Sequence, residues 1–182
     1  MKKLNFIYLK KVILIGILFF VNNLVFCQTI QEFNDQIVLL ESSSDPILIL
    51  DASRLKSLVK DVQPTLYCKS GGILENSDSS LPPLKVVSNS STILQLYDNM
   101  PIYNSVELIC FKVESLDDLI TVLDVAELKE FNNLKYIYFL CSVKLCPELM
   151  NDLICEKNKI EAMVHNYGTT DIKIIYTTSV IE

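Results

Sequence analysis

The residues that could carry chemistry in this chain are a single histidine and six cysteines. The apolar spacing around His165 places it in the last turn of a predicted helix. There an imidazole can bond to the terminal carbonyls and interact with the helix dipole. The alternative is a catalytic base that acts with a distant cysteine or serine. We interpret His165 as a helix-terminal residue.

The spacing of the carboxylates also favours a structural role for them over a catalytic one. Asp117 and Asp118 are adjacent, and residues 115–118 form a capping box that begins a predicted helix. Acidic residues at that end of a helix interact favourably with its dipole, so we interpret the two as caps rather than as an acid–base pair. Three further acids indicate a solvated face and lack the spacing of a calcium loop: Asp124, Glu127 and Glu130.

Glycine is too scarce for the loops that bind phosphates or nucleotides. After residue 27 the chain contains three glycines: Gly71, Gly72 and Gly168. They cannot build a nucleophile elbow, a phosphate loop or a dinucleotide fingerprint. The sequence therefore predicts no catalytic residue and no cofactor, and it favours a non-enzymatic protein. The alternative is a secreted hydrolase that uses acids or a thiol at a site we cannot locate from the sequence.

Five cysteines follow residue 27, and an odd number leaves at least one thiol unpaired: Cys68, Cys110, Cys141, Cys146 and Cys155. If residues 147–165 form a helix, Cys146 and Cys155 lie ~13 Å apart along it. A disulfide needs Cα atoms within ~7 Å, so this pair is excluded. We predict a disulfide between Cys141 and Cys146, across the turn at 142–145. Cys110 lies inside an apolar strand and is expected to be a buried thiol.

The C-terminal cysteines and the histidine are also candidates for a metal site. Their spacing is Cys141-x4-Cys146-x8-Cys155-x9-His165, which matches no zinc pattern. We therefore predict no metal ligand among them.

Residues 1–27 have the order of a secretory signal peptide. Four lysines precede an unbroken apolar run at 12–21: Lys2, Lys3, Lys10 and Lys11. That run is about 15 Å long as a helix, against ~30 Å for the bilayer core, which favours cleavage over a retained anchor. Cleavage after Cys27 leaves Gln28 as the new N-terminus, whereas a lipoprotein would keep Cys27 as its acylated first residue. The sequence thus predicts an exported protein, in the periplasm, on the cell surface or secreted.

The charge of the chain restricts its partners. The net charge is −6 at pH 7, and removal of residues 1–27 leaves 12 Lys and Arg against 22 Asp and Glu. Such an acidic surface repels nucleic acid and anionic lipid. We therefore expect no nucleic-acid partner, and membrane association only through an uncleaved signal or a lipidated Cys27.

The mature chain is expected to form one α/β domain over residues 28–182. Its irregular part, 28–83, contains a helical spacing at 30–41, a short strand at 47–50, a helix at 53–62, a strand at 65–68 and a loop at 75–83. The part at 84–182 is more regular. It has a weak strand at 84–87, strands at 106–113 and 134–141, the helix that begins at Ser115, the helix at 147–165 ended near Gly168, and a strand at 172–176. Alternating strands and helices indicate a parallel sheet.

Two segments of the regular part repeat each other at an offset of 28 residues. Residues 103–111 align with 131–139, and both share an aromatic residue, an asparagine and an aliphatic-x-x-Ile-x-Phe core. This pattern resembles that of leucine-rich repeats over roughly residues 84–178. The resemblance implies a short parallel sheet of strand–helix repeats whose strands line one face of a curved stack.

Tyr136 and Tyr138 alternate with Ile137 and Phe139, so the two tyrosines share one face of the sheet. If helices cover only the other face, the tyrosines form an exposed aromatic pair suited to protein recognition. If both faces are covered, they belong to the core. The sequence favours a protein that binds another macromolecule, such as a protein, through this sheet face or through loops. A lipid-anchored structural protein of the cell envelope is a further alternative.

Overall fold

The computed structural model describes residues 30–147 and 152–178. It contains three α-helices: α1 (Phe33–Glu41), α2 (Pro46–Lys60) and α3 (Asp152–Ala162). The strands are β1 (Gln31–Glu32), β2 (Thr65–Lys69), β3 (Ile73–Asn76), β4 (Lys85–Asn89), β5 (Leu108–Val113), β6 (Leu123–Asp124), β7 (Tyr136–Cys141), β8 (Val164–His165) and β9 (Lys173–Thr178). The predicted signal peptide at 1–27 lies outside the described residues.

Seven strands form one mostly parallel sheet in the order β1-β9-β7-β5-β4-β2-β3. The antiparallel pair is β2 with β3 at one edge, and the other neighbouring pairs are parallel. The predicted α/β class with a parallel sheet is therefore confirmed. Five parallel strands lie side by side in chain order, β2, β4, β5, β7 and β9, whereas β3 folds back along the outer edge of β2 and the short β6 pairs with β8 apart from this sheet. From each of these five strands to the next, the chain returns to the same end of the sheet, one strand further along.

The two segments matched at an offset of 28 residues lie side by side. In the β5–β7 pair, Leu108 is opposite Tyr136 and Ile109 is opposite Ile137. Neighbouring pairs have other offsets: Lys85 is opposite Leu108 in β4–β5, and Tyr136 is opposite Lys173 in β7–β9. Of these three neighbouring strand pairs, β5–β7 is therefore the one in which opposite residues are 28 positions apart.

Both faces of the sheet are buried, as a parallel sheet requires. On one face, α1 and α2 pack through Phe33, Ile37, Leu40, Leu55 and Leu58 onto strand residues that include Leu108, Tyr136 and Ile175. On the other face, α3 and several 3-10 turns cover the alternate strand residues, among them Ile109, Phe111, Ile137, Phe139 and Tyr176. The sheet is therefore the middle layer of three.

The N-terminal helices begin at side chains that cap them. Glu32 accepts hydrogen bonds from the backbone amides of Asn34 and Asp35, and Asp45 accepts one from Ile47 at 2.9 Å. Pro46 occupies the first helical position of α2, where its missing N–H is not needed. The predicted strand at 47–50 is therefore wrong, since these residues form the first turns of α2 and three of the four side chains are exposed.

Two predicted helices are shorter than the sequence indicates. The capping box at Ser115 is confirmed, but it begins a single 3-10 turn, Leu116–Ile120. None of the residues of this turn is fully buried, so a longer helix here would have no apolar face to pack against the core. In the C-terminal segment, α3 ends at Ala162 rather than at 165, because Val164 and His165 form β8 instead. Gly168 lies in a later 3-10 turn, Tyr167–Thr169. Residues 148–151 of the predicted helix are outside the described range.

None of the helices within 30–147 and 152–178 combines the length and the apolar character needed to cross a bilayer.

Candidate functional site

The tyrosine pair predicted as an alternative binding face is buried. Tyr136 is 1% exposed and Tyr138 is 7% exposed, because α1 and α2 cover that face of the sheet. The ring of Phe33 in α1 packs 6.0 Å from that of Tyr138. Burial also raises the pKa of the Tyr136 hydroxyl to about 12. The prediction of an exposed aromatic surface is therefore wrong, and the two tyrosines belong to the core.

The disulfide joins Cys146 to Cys155, with Cα atoms 6.1 Å apart, so the predicted Cys141–Cys146 pair is wrong. The prediction failed because Cys146 precedes the described part of α3, so the two residues are not successive positions along one helix axis. Cys141 is a buried free thiol at the end of β7, and burial raises its pKa to about 12. The predicted burial of Cys110 is confirmed.

The other predicted candidates do not assemble into a catalytic group. His165 is an exposed residue of β8, opposite Asp124 in β6, and it does not cap a helix. Asp118 caps the Leu116–Ile120 turn, as expected. Within the described ranges, no three side chains of the His, Cys, Asp and Glu types lie close enough together to hold a metal ion.

An ion-pair cluster at the start of the central strands holds α2 on the sheet. Glu107 accepts hydrogen bonds from Arg54 at 2.6 and 3.2 Å, and its carboxylate lies 3.0 Å from the Lys135 ammonium. The Arg54 hydrogen bond is the largest cause of a lowered pKa at Glu107, and Lys135 adds to it against the opposing effect of burial. All charges of this cluster are used in pairing, so we assign it a structural role.

On the opposite face of the molecule an apolar groove of about 830 Å³ lies open to solvent. Three elements border it: the Leu116–Ile120 turn, the loop that follows β7, and α3. A groove of this volume is in the range of ligand-binding clefts, ~300 to 1,000 Å³. We refer to it below as the apolar groove.

One wall of the apolar groove is formed by Leu116, Leu119 and Ile120. Leu119 is half-buried against the core, whereas Leu116 is 59% and Ile120 is 85% exposed. Asp118 fixes this turn, since its carboxylate accepts hydrogen bonds from the amides of Glu114 and Ser115 and from the hydroxyl of Ser90. Burial opposes ionisation of Asp118, but these hydrogen bonds outweigh it and lower the pKa. The exposed aliphatic side chains are thus held on a positioned turn.

The other wall combines the loop after β7 with α3. Leu145, Cys146 and Pro147 come from the loop, and the disulfide connects the loop to Cys155 of α3. On α3, Cys155, Lys159 and Ala162 are spaced by four and three residues, which places them on one face of the helix. Because the disulfide crosses from loop to helix within the lining, it holds this wall together.

Among the described residues of the lining, two lysines are charged, Lys144 in the loop after β7 and Lys159 in the last turn of α3. Both are exposed. The other described lining residues are leucine, isoleucine, proline, alanine and the two disulfide cysteines. The groove thus places positive charge beside an apolar lining in a chain whose net charge is −6.

Comparisons with protein-family models, with curated proteins and with solved structures found no match to this chain. What the chain does has to be argued from its own geometry.

Sequence reasoning did not identify the apolar groove. The spacing of Cys155, Lys159 and Ala162 in the sequence indicates that they share one face of a helix. The apolar residues of the same segment predicted the helix itself and did not indicate a groove. Leu116 and Ile120 follow the predicted helix start at Ser115, but they lie in a 3-10 turn and are exposed beside the groove. No local pattern indicates that a turn after β5 and a helix after β7 meet.

Proposed function

We propose that this chain is an exported, non-enzymatic binding protein that holds the apolar part of a partner molecule in the apolar groove. The observation that carries the proposal is the exposure of Leu116 and Ile120 on a positioned turn, at the edge of an apolar cleft. Exposed aliphatic side chains that line a concavity mark interaction sites more often than isolated ones do. Of the two surfaces expected to bind a macromolecule, the sheet face is covered, and the loops remain.

The site itself supports binding rather than catalysis. A catalytic site needs a nucleophile or an acid–base pair within hydrogen-bond reach of the reacting group. The apolar groove is lined by aliphatic side chains, a disulfide and two lysines, and a disulfide sulfur is not a free nucleophile. The lining therefore offers contact area and charge.

Export is the second part of the proposal. The disulfide between Cys146 and Cys155 is compatible with an oxidising compartment. The basic and apolar segment at 1–27 supplies the export signal. We also propose that β4, β5, β7 and β9 form a degenerate stack of the leucine-rich-repeat type, in which both faces of the sheet are covered. The chain-ordered parallel strands and the stacking of residues 28 positions apart support this, although the offsets between other strand pairs differ.

Nile red, an uncharged dye whose emission rises in apolar surroundings, tests the binding function. We expect the wild-type protein to enhance its emission saturably, and the double variant Leu116→Asn/Ile120→Asn to bind it at least ~10-fold more weakly, since two aliphatic contacts are lost. Both residues are exposed, so the variant should keep the wild-type melting temperature.

The matched control is Leu94→Asn/Ile73→Asn, which removes two exposed aliphatic residues elsewhere. Leu94 is 74% exposed and lies in another 3-10 turn, Ile93–Tyr97. This variant should bind the dye as the wild type does. Equal dye binding by all three proteins, or no binding by the wild type, would refute the function.

A further inference from the structure

The lining of the apolar groove discriminates between kinds of ligand. An extended polypeptide segment that entered it would bury backbone N–H and C=O groups, and each of these needs a hydrogen-bond partner. Apart from the two lysines, the lining residues within 30–147 and 152–178 have aliphatic or disulfide side chains, which provide no such partners. An acyl chain carries no polar group along its length, so it loses nothing when it leaves water.

The lysines determine the charge of the ligand. Lys144 and Lys159 come from two elements, the loop after β7 and α3, and they are the charged residues among the lining residues that the structure describes. An ammonium group attracts a carboxylate or phosphate and repels a cationic headgroup. The aliphatic stems of the lysines can also extend along the ligand while their charges stay in water.

We propose that the apolar groove binds a single-chain anionic amphiphile, with its acyl chain along the lining and its headgroup at Lys144 and Lys159. This inference rests on the proposed function and names the ligand class of the same site. A free fatty acid and the headgroup of a membrane lipid share this chemistry. The free molecule is favoured, because the net charge of −6 disfavours approach to an anionic bilayer.

The test is displacement of Nile red by three twelve-carbon ligands, each below its micelle concentration: dodecanoate, dodecanol and dodecyltrimethylammonium. We expect dodecanoate to displace the dye most strongly, about three- to tenfold better than dodecanol, with the cationic ligand weakest. The charge reversal Lys144→Glu/Lys159→Glu should invert the order of the two charged ligands when each is measured relative to dodecanol.

The matched control is Lys69→Glu/Lys129→Glu, which changes the net charge equally but away from the groove. Both lysines are exposed, and the carboxylates with which they form ion pairs, those of Glu75 and Glu127, are exposed as well. This variant should keep the wild-type ligand order. If it inverts the order as well, the preference comes from overall charge, and the proposal is overturned.

Other outcomes separate the ligand class from the function. If the dye binds but dodecanoate and dodecanol compete equally, the anionic class is wrong while the binding function stands. Displacement by an acidic amphipathic peptide but by none of the three ligands would assign the groove to a polypeptide and overturn the proposal. Sedimentation with phosphatidylglycerol vesicles, lost in Lys144→Glu/Lys159→Glu, would place the headgroup in a membrane and overturn the free ligand. If the wild type binds no Nile red, the proposed function itself fails.

Discussion

Tyr103 and Phe131 lie face to face, with ring centroids 4.5 Å apart and ring planes 12° apart, although 28 residues separate them in the chain. The next residues, Asn104 and Asn132, are joined by a side-chain hydrogen bond at the same separation. Further along, Phe111 packs 5.5 Å from Phe139. The matched segments therefore contact each other residue by residue, and the 28-residue spacing of the sequence corresponds to one step across the sheet.

A double-mutant cycle at Tyr103 and Phe131 should measure the interaction energy between the two matched segments at this aromatic pair. Both residues are buried, so we expect each single change to leucine to lower the free energy of unfolding. The coupling energy should be about 0.5 to 1.5 kcal/mol, as for other stacked aromatic pairs. Urea unfolding of the four proteins gives the value. Strict additivity would show that the stacking contributes nothing beyond burial.

Replacement of Tyr136 or Tyr138 by serine should destabilise the protein. Both rings fill the space between the sheet and helices α1 and α2, so each change leaves a cavity and costs about 3 to 5 kcal/mol. The melting temperature should fall markedly. A comparison with Tyr67→Ser, at a half-buried position on the same face, should show a smaller loss. An unchanged melting temperature for Tyr138→Ser would contradict the burial of this face.

Glu107 should contribute to stability in a pH-dependent way. Its pKa in the folded protein is lowered, mainly by the hydrogen bond from Arg54, so the folded state favours the ionised form. The contribution is therefore complete above the pKa of the unfolded chain, ~4.3 for glutamate, and is lost as the pH falls through the lower folded value. Glu107→Gln should cost about 1 to 2 kcal/mol at pH 7.

The measurement is chemical unfolding of wild type and Glu107→Gln between pH 7 and pH 3. The difference between the two proteins should shrink as the pH decreases below the ~4.3 of glutamate in an unfolded chain, because protonation of Glu107 then favours the unfolded state. Glu75→Gln serves as the control, since its pair with Lys69 is exposed. A difference that stays constant over the whole range would exclude an ionic role for Glu107.

Thiol labelling should show three protected cysteines. Burial raises the pKa of Cys68 and Cys110 to about 11 and of Cys141 to about 12, so few thiolates form at pH 8. Iodoacetamide should therefore react slowly with the native protein. In denaturant without reductant, peptide mapping should find these three labelled, with Cys146 and Cys155 still joined. Labelled Cys146 together with protected Cys141 would show that the pairing is wrong.

The strands of the central sheet could be predicted from the sequence. Residues 136–141 are a continuous apolar run, and residues 108–113 are apolar except for Lys112, a pattern typical of strands buried on both faces. Such a pattern can be recognised from the local sequence, because the side chains of a central strand must be apolar whichever element covers them. The same argument explains why the pattern at 65–68 and at 172–176 was also confirmed.

The helices were predicted less well, because their ends and faces depend on contacts with distant residues. Residues 47–50 are apolar and short, a pattern that does not distinguish a strand from a helix by itself. The cap at Asp45 and the proline at position 46 favour a helix over a strand at these residues. At Leu116–Ile120 the spacing indicated a helix, but the structure provides no buried surface for one, so only a turn forms.

The sequence by itself determined the class of the fold, the side-by-side arrangement of the two segments that are offset by 28 residues, and the capping box at Ser115. These features depend on residues that are close in the chain or repeat along it. Only the tertiary structure decided which cysteines pair, which face of the sheet is covered, and that the turn after β5 and helix α3 enclose a groove with two lysines. Those features require chain segments brought together by burial of apolar surface, and a local pattern carries no information about which distant segment will do so.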